Sequence, residues 1–375
     1  MAVNYHTGEF PPDDRVEWSK LIPLLGPTSA AIARYDGVLE AIPNPWLLLT
    51  PLTTEEAVLS SRIEGTQATV LEVLESEGEG RVPDSVDRQL DIQEVVNYIS
   101  AMREAETLLE TYPLSQKVIK KSHAILLQGV RGEGKSPGEY RRIANWIGPP
   151  NCTIDEARFV PIGAHELPDA ISTWEKYIHQ DHPDRLVQLA ILHAEFEALH
   201  PFLDGNGRLG RMLVPLFLWQ HKLINKPAFY ISSYFEANRD AYYDELLSVS
   251  RDGDWTGWIK FFLEALKKQA EYNYRKALDI LELYESIKTV VSNEIRSQYT
   301  PQTLDWIFKR PIFSTRNFQT EQGAPPASAR RILKALDEIG VLEKIVPASG
   351  RSAAIYTFPA LLDIVMVEGN FDAHA

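Results

Sequence analysis

Apolar side chains recur every three to four residues along most of this chain, which is the spacing of one face of an α-helix. The pattern predicts amphipathic helices over residues 29–42, 57–64, 66–80, 87–112, 115–128, 165–200, 208–224, 234–249 and 255–295. The glycine-proline pair at 26–27 and the PNP cluster at 43–45 are expected to bound the first helix. The TTEE run at 53–56 is expected to cap the next helix as a capping box.

Residues 129–164 interrupt the helical rhythm with glycines and prolines. Within them, the strand-like runs IANWIG and ARFVPI flank the sequence PPNCTIDE. Two such runs around a turn predict a hairpin-like flap. GVRGEGKS at 129–136 satisfies the pattern of a phosphate-binding P-loop. It follows a predicted helix rather than a strand, so we interpret it as a loop before the flap.

The last 75 residues change character. Three short helical units are followed by two strand-like runs around a glycine-containing turn, which is the order of a winged helix. Residues 301–360 hold eight Lys or Arg against five Asp or Glu. Arg330, Arg331 and Lys334 are expected on the recognition helix, and Arg351 on the wing. Such a module binds DNA in some proteins and serves protein docking or dimerisation in others, and both uses stay open.

Composition narrows the class of protein. The chain has 375 residues, of which 44% are apolar and 24% charged, as is usual for a globular protein of two or three domains. A net charge of −14 disfavours nonspecific binding to nucleic acid or to anionic membranes. The single cysteine, Cys152, excludes an intrachain disulfide framework and a Cys-based zinc site. With no apolar run long enough for a bilayer and no signal peptide, a soluble cytoplasmic protein without membrane contact is expected.

The twelve residues 200–211, HPFLDGNGRLGR, include most of the candidate catalytic and binding side chains. A helix is predicted to end at His200, and a second helix to resume at Arg208 after a loop in which glycine tolerates positive φ. The loop N–H groups and the helix dipole favour an anion there. Arg208 and Arg211 lie on one helix face and can both donate hydrogen bonds to its oxygens. Asp204 suits Mg²⁺ bound together with phosphates, and His200 suits a general base. The alternative is a capped helix end with a solvated Asp and two surface arginines.

This segment matches the motif of the Fic family, H-x-F-x-[DE]-G-N-G-R-x-x-R, at every fixed position. The resemblance implies a helical core that transfers AMP from ATP, with Mg²⁺, to a protein Ser, Thr or Tyr hydroxyl. His200 would deprotonate that hydroxyl, Asp204 would hold Mg²⁺, and Arg208 and Arg211 would bind the β- and γ-phosphates. The nucleotide-contacting residues implied are Glu64, Gly205, Asn206, Gly207, Arg208, Leu209, Gly210, Arg211, Tyr242, Tyr243 and Ser250.

A second segment resembles the inhibitory motif [ST]-x-x-x-E-[GN] of the same family, through Ser60, Glu64 and Gly65. Taken alone, a glutamate before glycine at a helix end is more often a solvated side chain. The resemblance implies that Glu64 pairs with Arg211 and removes the guanidinium that should hold the γ-phosphate. In some members of the family the same glutamate positions water for the removal of AMP.

Two further stretches resemble parts of Fic proteins. GEYR at 138–141 and the Ile147-Gly148 pair resemble the stretch leading into the flap, on which the target hydroxyl would dock as an added strand near 147–157. Tyr242 and Tyr243, with Asn238 or Ser250, fall where the nucleoside pocket is expected. The alternatives are an ordinary surface hairpin and a tyrosine that packs in the core. His193, two turns before the motif, is expected to be structural.

The predicted fold is therefore mainly α: a Fic helical core with a β-hairpin flap, an N-terminal helical segment and a C-terminal winged helix. The predicted regions are residues 1–112, 113–268 and 269–375. The predicted function is an autoinhibited protein adenylyltransferase, self-modifying or acting on a partner, and a homodimer by resemblance. The alternatives are a DNA-binding regulator whose core senses nucleotide, and a Fic transferase that uses another nucleotide donor.

Overall fold

The computed structural model describes residues 2–41, 46–79, 83–149, 152–295, 297, 299–322, 325–348, 353–367, 369 and 371. Over these residues the chain is mainly helical, with one two-stranded and one three-stranded sheet, which confirms the predicted fold class. The helices up to the long connecting helix are α1 (Trp18–Ala41), α2 (Trp46–Ile63), α3 (Val70–Glu79), α4 (Val86–Leu109), α5 (Gln116–Leu126), α6 (Leu167–Ile178), α7 (Arg185–Leu199), α8 (Asn206–Gln220), α9 (Ser232–Ala237), α10 (Arg239–Asp252) and α11 (Trp255–Glu294).

The predicted start of the first helix is wrong. Helix α1 begins at Trp18 and continues through Pro23 and Pro27, so the pair at 26–27 does not break it. Packing against α11 holds this region together, since the hydroxyl of Thr28 donates both to the carbonyl of Leu24 and to a carbonyl of α11. Tertiary contacts thus override a local helix-breaking signal.

The predicted capping box at 53–56 is also wrong, because these residues lie in the interior of α2. The Thr54 hydroxyl donates to the carbonyl of Thr50 one turn earlier. The Glu56 carboxylate accepts from the backbone N–H of Ser232 at 2.9 Å and from its hydroxyl at 2.6 Å. The polar run therefore binds across to the neighbouring segment instead of starting a helix.

The flap is less regular than the predicted hairpin. Strand β2 (Phe159–Val160) pairs antiparallel with Ile147 through a single bridge, and residues 154–156 form a 3-10 turn between them. The other edge of β2 pairs in parallel with strand β1 (Val3–Asn4) at the beginning of the chain. The turn between the two strand-like runs is expected to have its tip at 151–157, and of these residues Asn151 lies outside the described residues.

The tail follows the predicted order of helices and strands, with additions that the pattern did not indicate. A short strand, β3 (Ile312–Ser314), lies between the first two helices, and a further helix follows the last strand. The last two strands are β4 (Glu343–Val346) and β5 (Ile355–Thr357), and the sheet order is β3-β5-β4, all antiparallel. The winged-helix assignment stays a prediction, and Arg351 lies outside the described residues. The elements are α12 (Thr300–Lys309), β3 (Ile312–Ser314), α13 (Thr315–Gln322), α14 (Pro326–Glu338), β4 (Glu343–Val346), β5 (Ile355–Thr357) and α15 (Pro359–Met366).

Helix α7 runs through the core and delivers the predicted base at its C-terminal end. It packs against α6, α8, α10 and α11, and nearly all of its side chains are buried. Trp174 of α6 and Trp258 of α11 are fully buried and donate their indole N–H groups to the α7 carbonyls of Leu192 and Ala190. These two anchors fix the helix on which the site depends.

The predicted boundary at 268 falls inside α11, which continues to Glu294, and the division into regions stays a prediction. Across the described ranges, no helix is both long and apolar enough to span a bilayer.

Trp258→Ala is expected to lower the free energy of unfolding by about 3–5 kcal/mol, because it removes a fully buried indole and leaves a cavity. Leu278→Ala, on the same helix but 37% exposed, is the matched control and should cost less than about 1 kcal/mol. Denaturant unfolding followed by circular dichroism measures both changes. Equal losses in the two variants would contradict the anchoring role of Trp258.

Candidate active site

Two left-handed residues shape the loop between α7 and α8. His200 has φ +45° and ends α7, while Gly205 has φ +75° and is the N-cap of α8. Helix α8 begins at Asn206, two residues earlier than predicted, so only one of the three loop residues 205–207 uses positive φ. The Asn206 amide closes the loop by accepting from the Phe202 N–H and donating to the Phe202 carbonyl, both at 2.9 Å.

Two residues that the sequence did not single out for this role hold the loop from outside. The buried Arg141 guanidinium donates to the backbone carbonyl of His200 at 2.9 Å. The His123 ring stacks on Phe202 with centroids 3.8 Å apart, and its Nε2 lies 3.1 Å from the carbonyl oxygen of Asp204. Arg141 belongs to the GEYR stretch at 138–141, and the resemblance of that stretch to Fic proteins was the sequence signal that could have indicated its role.

A cavity of about 450 Å³ opens between the flap, α7, α8 and α10. It brings together residues that lie far apart in the sequence, from Glu64 after α2 to Tyr243 in α10. The predicted site residues that line it are Glu64, His200, Gly207, Arg211, Tyr242 and Tyr243.

Arg211 is fully buried, and Ser60 and Glu64 of the segment at 60–65 supply its partners. Its Nε donates to the Ser60 hydroxyl at 2.9 Å, and its Nη2 donates to the Ser60 carbonyl and to Glu64 Oε1, both at 2.7 Å. The Nη1 atom is buried and has no hydrogen-bond partner among the described residues. Ser60 and Glu64 thus bind the Nε and Nη2 side of the guanidinium, whereas Nη1 keeps an unused donor.

Glu64 lies directly against the first turn of α8. A Cβ atom at Gly207 would overlap its carboxylate and come within 3.0 Å of Arg211 Nη1, so only glycine permits this approach. Burial opposes ionisation of Glu64, but the charges of Arg211 and Arg208 outweigh burial and hold its pKa below the ordinary value. The carboxylate is therefore an anion at a helix N-terminus between two arginines, which is the environment expected for a phosphate.

Arg208 and Asp204 lie beside this position. The Arg208 side chain is 5% exposed and is 3.4 Å from the Asp204 carboxylate, which is 40% exposed. Its Nε and Nη1 atoms form no hydrogen bond within the described part of the chain. Asp204 is not in a cluster of three or more metal-ligating side chains, since the described residues contain none. One carboxylate suits a cation that is bound mainly by phosphate oxygens.

His200 is prepared to accept a proton. Burial lowers its pKa to about 4, with the charge of Glu64 opposing this shift and the charge of Arg141 adding to it. The imidazole is therefore neutral near pH 7, which is the form that a general base needs.

Of the remaining predicted nucleotide contacts, Tyr242 and Tyr243 line the cavity, whereas Ser250, Leu209 and Gly210 do not. Tyr242 is buried, and its hydroxyl lies 2.9 Å from His193, while Tyr243 is half-buried at the cavity wall. Ser250 is not brought to the cavity, because its hydroxyl binds His6 of the N-terminal arm at 2.7 Å. Leu209 and Gly210 pack in the core side of α8, where the Gly210 carbonyl contacts His193.

Glu197 is a cavity residue that sequence reasoning missed. It lies one turn before His200, and a Cβ atom at Gly210 would overlap its carboxyl group. Burial raises its pKa to about 8, although the charge of Arg211 opposes this shift. The side chain is therefore largely protonated at neutral pH. A single glutamate on a helix gave no signal for this state in the sequence.

The ring of His200 is expected to remain neutral from about pH 8 down to about pH 5 and to titrate near pH 4, because burial disfavours the charged form. An NMR pH titration, with the His200 signal assigned by loss in His200→Gln, measures this midpoint. Glu64→Gln should lower it further, since the glutamate charge favours the imidazolium. A midpoint near the ordinary value of about 6.5 would contradict the assignment.

Family models match two consecutive parts of the chain. Residues 22–107 match the Fic/DOC family N-terminal model, and residues 113–218 match the Fic/DOC family model. Together they cover slightly more than half of the chain.

Two curated relatives illustrate the similarity. A probable protein adenylyltransferase from Aquifex aeolicus is 28% identical over 266 residues, which are 67% of this chain and 74% of that protein. Protein adenylyltransferase Fic from Drosophila yakuba is 25% identical over 193 residues, which are 51% of this chain but only 34% of the relative. The chain thus matches about a third of the fly protein.

Solved structures agree in fold. A Fic family protein from Desulfovibrio desulfuricans superposes with a TM-score of 0.57 at 20% identity, covering 90% of this chain and 95% of that one. A Fic-1 fragment from C. elegans has a TM-score of 0.50 at 18% identity, covering 69% and 72%. The motif geometry, the two family models and these folds lead to one conclusion: the chain belongs to the Fic/DOC family.

Proposed function

We propose that this protein transfers AMP from ATP to a hydroxyl side chain of a protein and is inhibited by its own Glu64. The observation that carries the proposal is the contact of Glu64 with Arg211 above Gly207, beside His200 in the cavity. An anion site, a neutral base and a bound internal carboxylate therefore lie together. The names of the Aquifex and Drosophila relatives support the same activity.

The transfer follows from the groups present. The neutral imidazole of His200 takes the proton of the target hydroxyl as its oxygen attacks the α-phosphorus of ATP. The new O–P bond forms while the bond from that phosphorus to the bridging oxygen breaks, and diphosphate leaves. Arg208, Arg211 and the first turn of α8 hold the phosphates and stabilise the charge on the leaving group. The half-buried Tyr243 offers aromatic surface to the base, and the ring of the buried Tyr242 packs against it with centroids 5.3 Å apart.

Asp204 fits Mg²⁺ as a single carboxylate next to the phosphate site, since it is partly exposed and shares its oxygen only loosely with Arg208. Bound there with ATP, the ion would neutralise phosphate charge. Mg²⁺ and ATP are thus the cofactor and substrate that we propose.

Inhibition follows from competition for one guanidinium. While Glu64 occupies Arg211, the γ-phosphate lacks its strongest partner, and the carboxylate fills space over Gly207. ATP that enters in this state is expected to bind with its α-phosphorus displaced from His200. Use of the same glutamate for removal of AMP stays open.

The flap offers one edge to a target. Strand β2 pairs with Ile147 on one side and is covered on the other by β1, whose neighbour Tyr5 donates to the buried Glu195 of α7 at 2.6 Å. An added target strand would therefore pair along residues 145–148, at the mouth of the cavity. The exposed Trp146 lies on this edge.

Several expectations stay predictions: a homodimer, a cytoplasmic location and DNA binding by the tail. Arg330, Arg331 and Lys334 are exposed on α14, but Lys334 pairs with Glu338 of the same helix at 3.1 Å. No observation in the described structure favours DNA over a protein partner for this face.

Glu64→Gly is expected to raise label transfer from α-³²P-ATP with Mg²⁺ about 10- to 100-fold over the unmodified sequence. Loss of a hydrogen bond between charged groups is worth roughly that factor. Autoradiography of the protein, alone and with a cell extract as target, measures the change.

Glu64→Gly/His200→Ala is the control and should lose label by about 10²- to 10⁴-fold relative to Glu64→Gly, the usual contribution of a general base. Parallel reactions with GTP, UTP and CTP test the donor. If Glu64→Gly transfers no label from any nucleotide, the transferase proposal is wrong and a nucleotide-sensing regulator becomes the better description.

A further inference from the structure

Two buried carboxylates on α4 bind the chain just after the inhibitory motif. Asp91 and Glu94 lie one turn apart and are 5% and 7% exposed. The Thr66 hydroxyl donates to Glu94 Oε2 at 2.9 Å, and the Gln67 backbone N–H donates to Asp91 Oδ2 at 2.9 Å. The two residues that follow Gly65, Thr66 and Gln67, are thus both hydrogen-bonded to α4.

The same two carboxylates bind arginines from two other parts of the chain. Arg131 donates from Nε to Glu94 Oε1 at 3.0 Å and from Nη2 to Asp91. Arg208 Nη1 lies 3.5 Å from Glu94 Oε2, the oxygen that also accepts from Thr66. One carboxylate oxygen therefore contacts both the inhibitory segment and an arginine of the proposed phosphate site.

Two carboxylates pair with Arg208. Within the described ranges its ion-pair partners are Glu94 and Asp204, at 3.5 and 3.4 Å. Glu94 is buried, whereas the Asp204 side chain is 40% exposed and is the proposed Mg²⁺ ligand. The buried partner is the one able to fix the guanidinium, because a charge pair out of water is screened less than an exposed pair.

We infer that Glu94 is a positioning residue that orients Arg208 for the phosphates of the nucleotide and ties that arginine to the inhibitory segment. The inference deepens the proposed function and rests on it. Glu94 acts through Arg208 and does not touch the reacting atoms.

This inference also gives a role to the glycine-rich segment that resembles a P-loop. The segment follows helix α5, and its Arg131 faces Asp91 and Glu94. Asp91 and Glu94 are both buried, and a pair of buried carboxylates is costly without a counter-charge. Arg131 supplies that counter-charge to both, so Glu94 can hold Arg208 while this arginine binds a phosphate.

The test uses the full chain with Glu64→Gly, in which the inhibitory carboxylate is absent. Calorimetry gives the Kd for ATP with Mg²⁺ in this background, with Glu94→Gln, with Arg208→Ala and with both. Glu94→Gln is expected to weaken ATP binding about tenfold. Added to Arg208→Ala it should cause almost no further loss, because residues that act through one contact are non-additive.

Asp91→Asn is the matched control. It lies one turn away and contacts Arg131 and Gln67, but it has no ion pair with Arg208, so the Kd for ATP should stay within about twofold of the background. Thermal melting of each variant identifies any that does not fold. Glu94→Asp, which keeps the charge on a shorter side chain, then carries the test and should give a smaller loss than Arg208→Ala.

The inference is overturned if Glu94→Gln binds ATP as the background does, or if its loss multiplies with that of Arg208→Ala. Failure of the proposed function gives another result, in which Glu64→Gly binds ATP but transfers no label. In that case the dependence of ATP affinity on Glu94 can still be measured.

Discussion

The burial of the Arg211 guanidinium is the constraint on which the rest of this structure depends. A fully buried charge needs counter-charge and hydrogen bonds, or the fold loses several kcal/mol. Ser60 and Glu64 supply both from another part of the chain. The residue that would bind the γ-phosphate thus has its counter-charge within the protein, and α2 must stay docked for this to hold. The proposed inhibition and the stability of the fold rest on the same contact.

Helix α2 is held from two sides by adjacent carboxylates. Glu56 binds Ser232, while the adjacent Glu55, also buried, pairs with the buried Lys276 of α11 at 2.7 Å. The Lys276 ammonium also donates to the carbonyl of Val365 near the end of the tail at 3.0 Å. Leu74 of α3 joins an apolar cluster with tail residues. The tail therefore packs directly on the segment that carries Glu64.

Sequence reasoning performed best where chemistry and local geometry lie within one short segment. The residues from His200 to Arg211 form one loop and one helix turn, so their spacing already set their relative positions. It failed where distant contacts decide: α1 passes through the predicted break at 26–27, and the run at 53–56 lies inside a helix. Ser250 was expected at the nucleotide but binds His6 of the N-terminal arm.

The sequence by itself determined the family, the helical class and the order of most helices, because periodicity and a twelve-residue motif are local properties. Only the tertiary structure decided which charges meet. Glu64 reaches Arg211 across 147 residues, Glu197 becomes largely protonated by burial, and Glu94 contacts both Thr66 and Arg208. The letter for Asp or Glu in a sequence does not show which group the carboxylate will contact. Its partner and its ionisation depend on distance and burial, which exist only after the chain has folded.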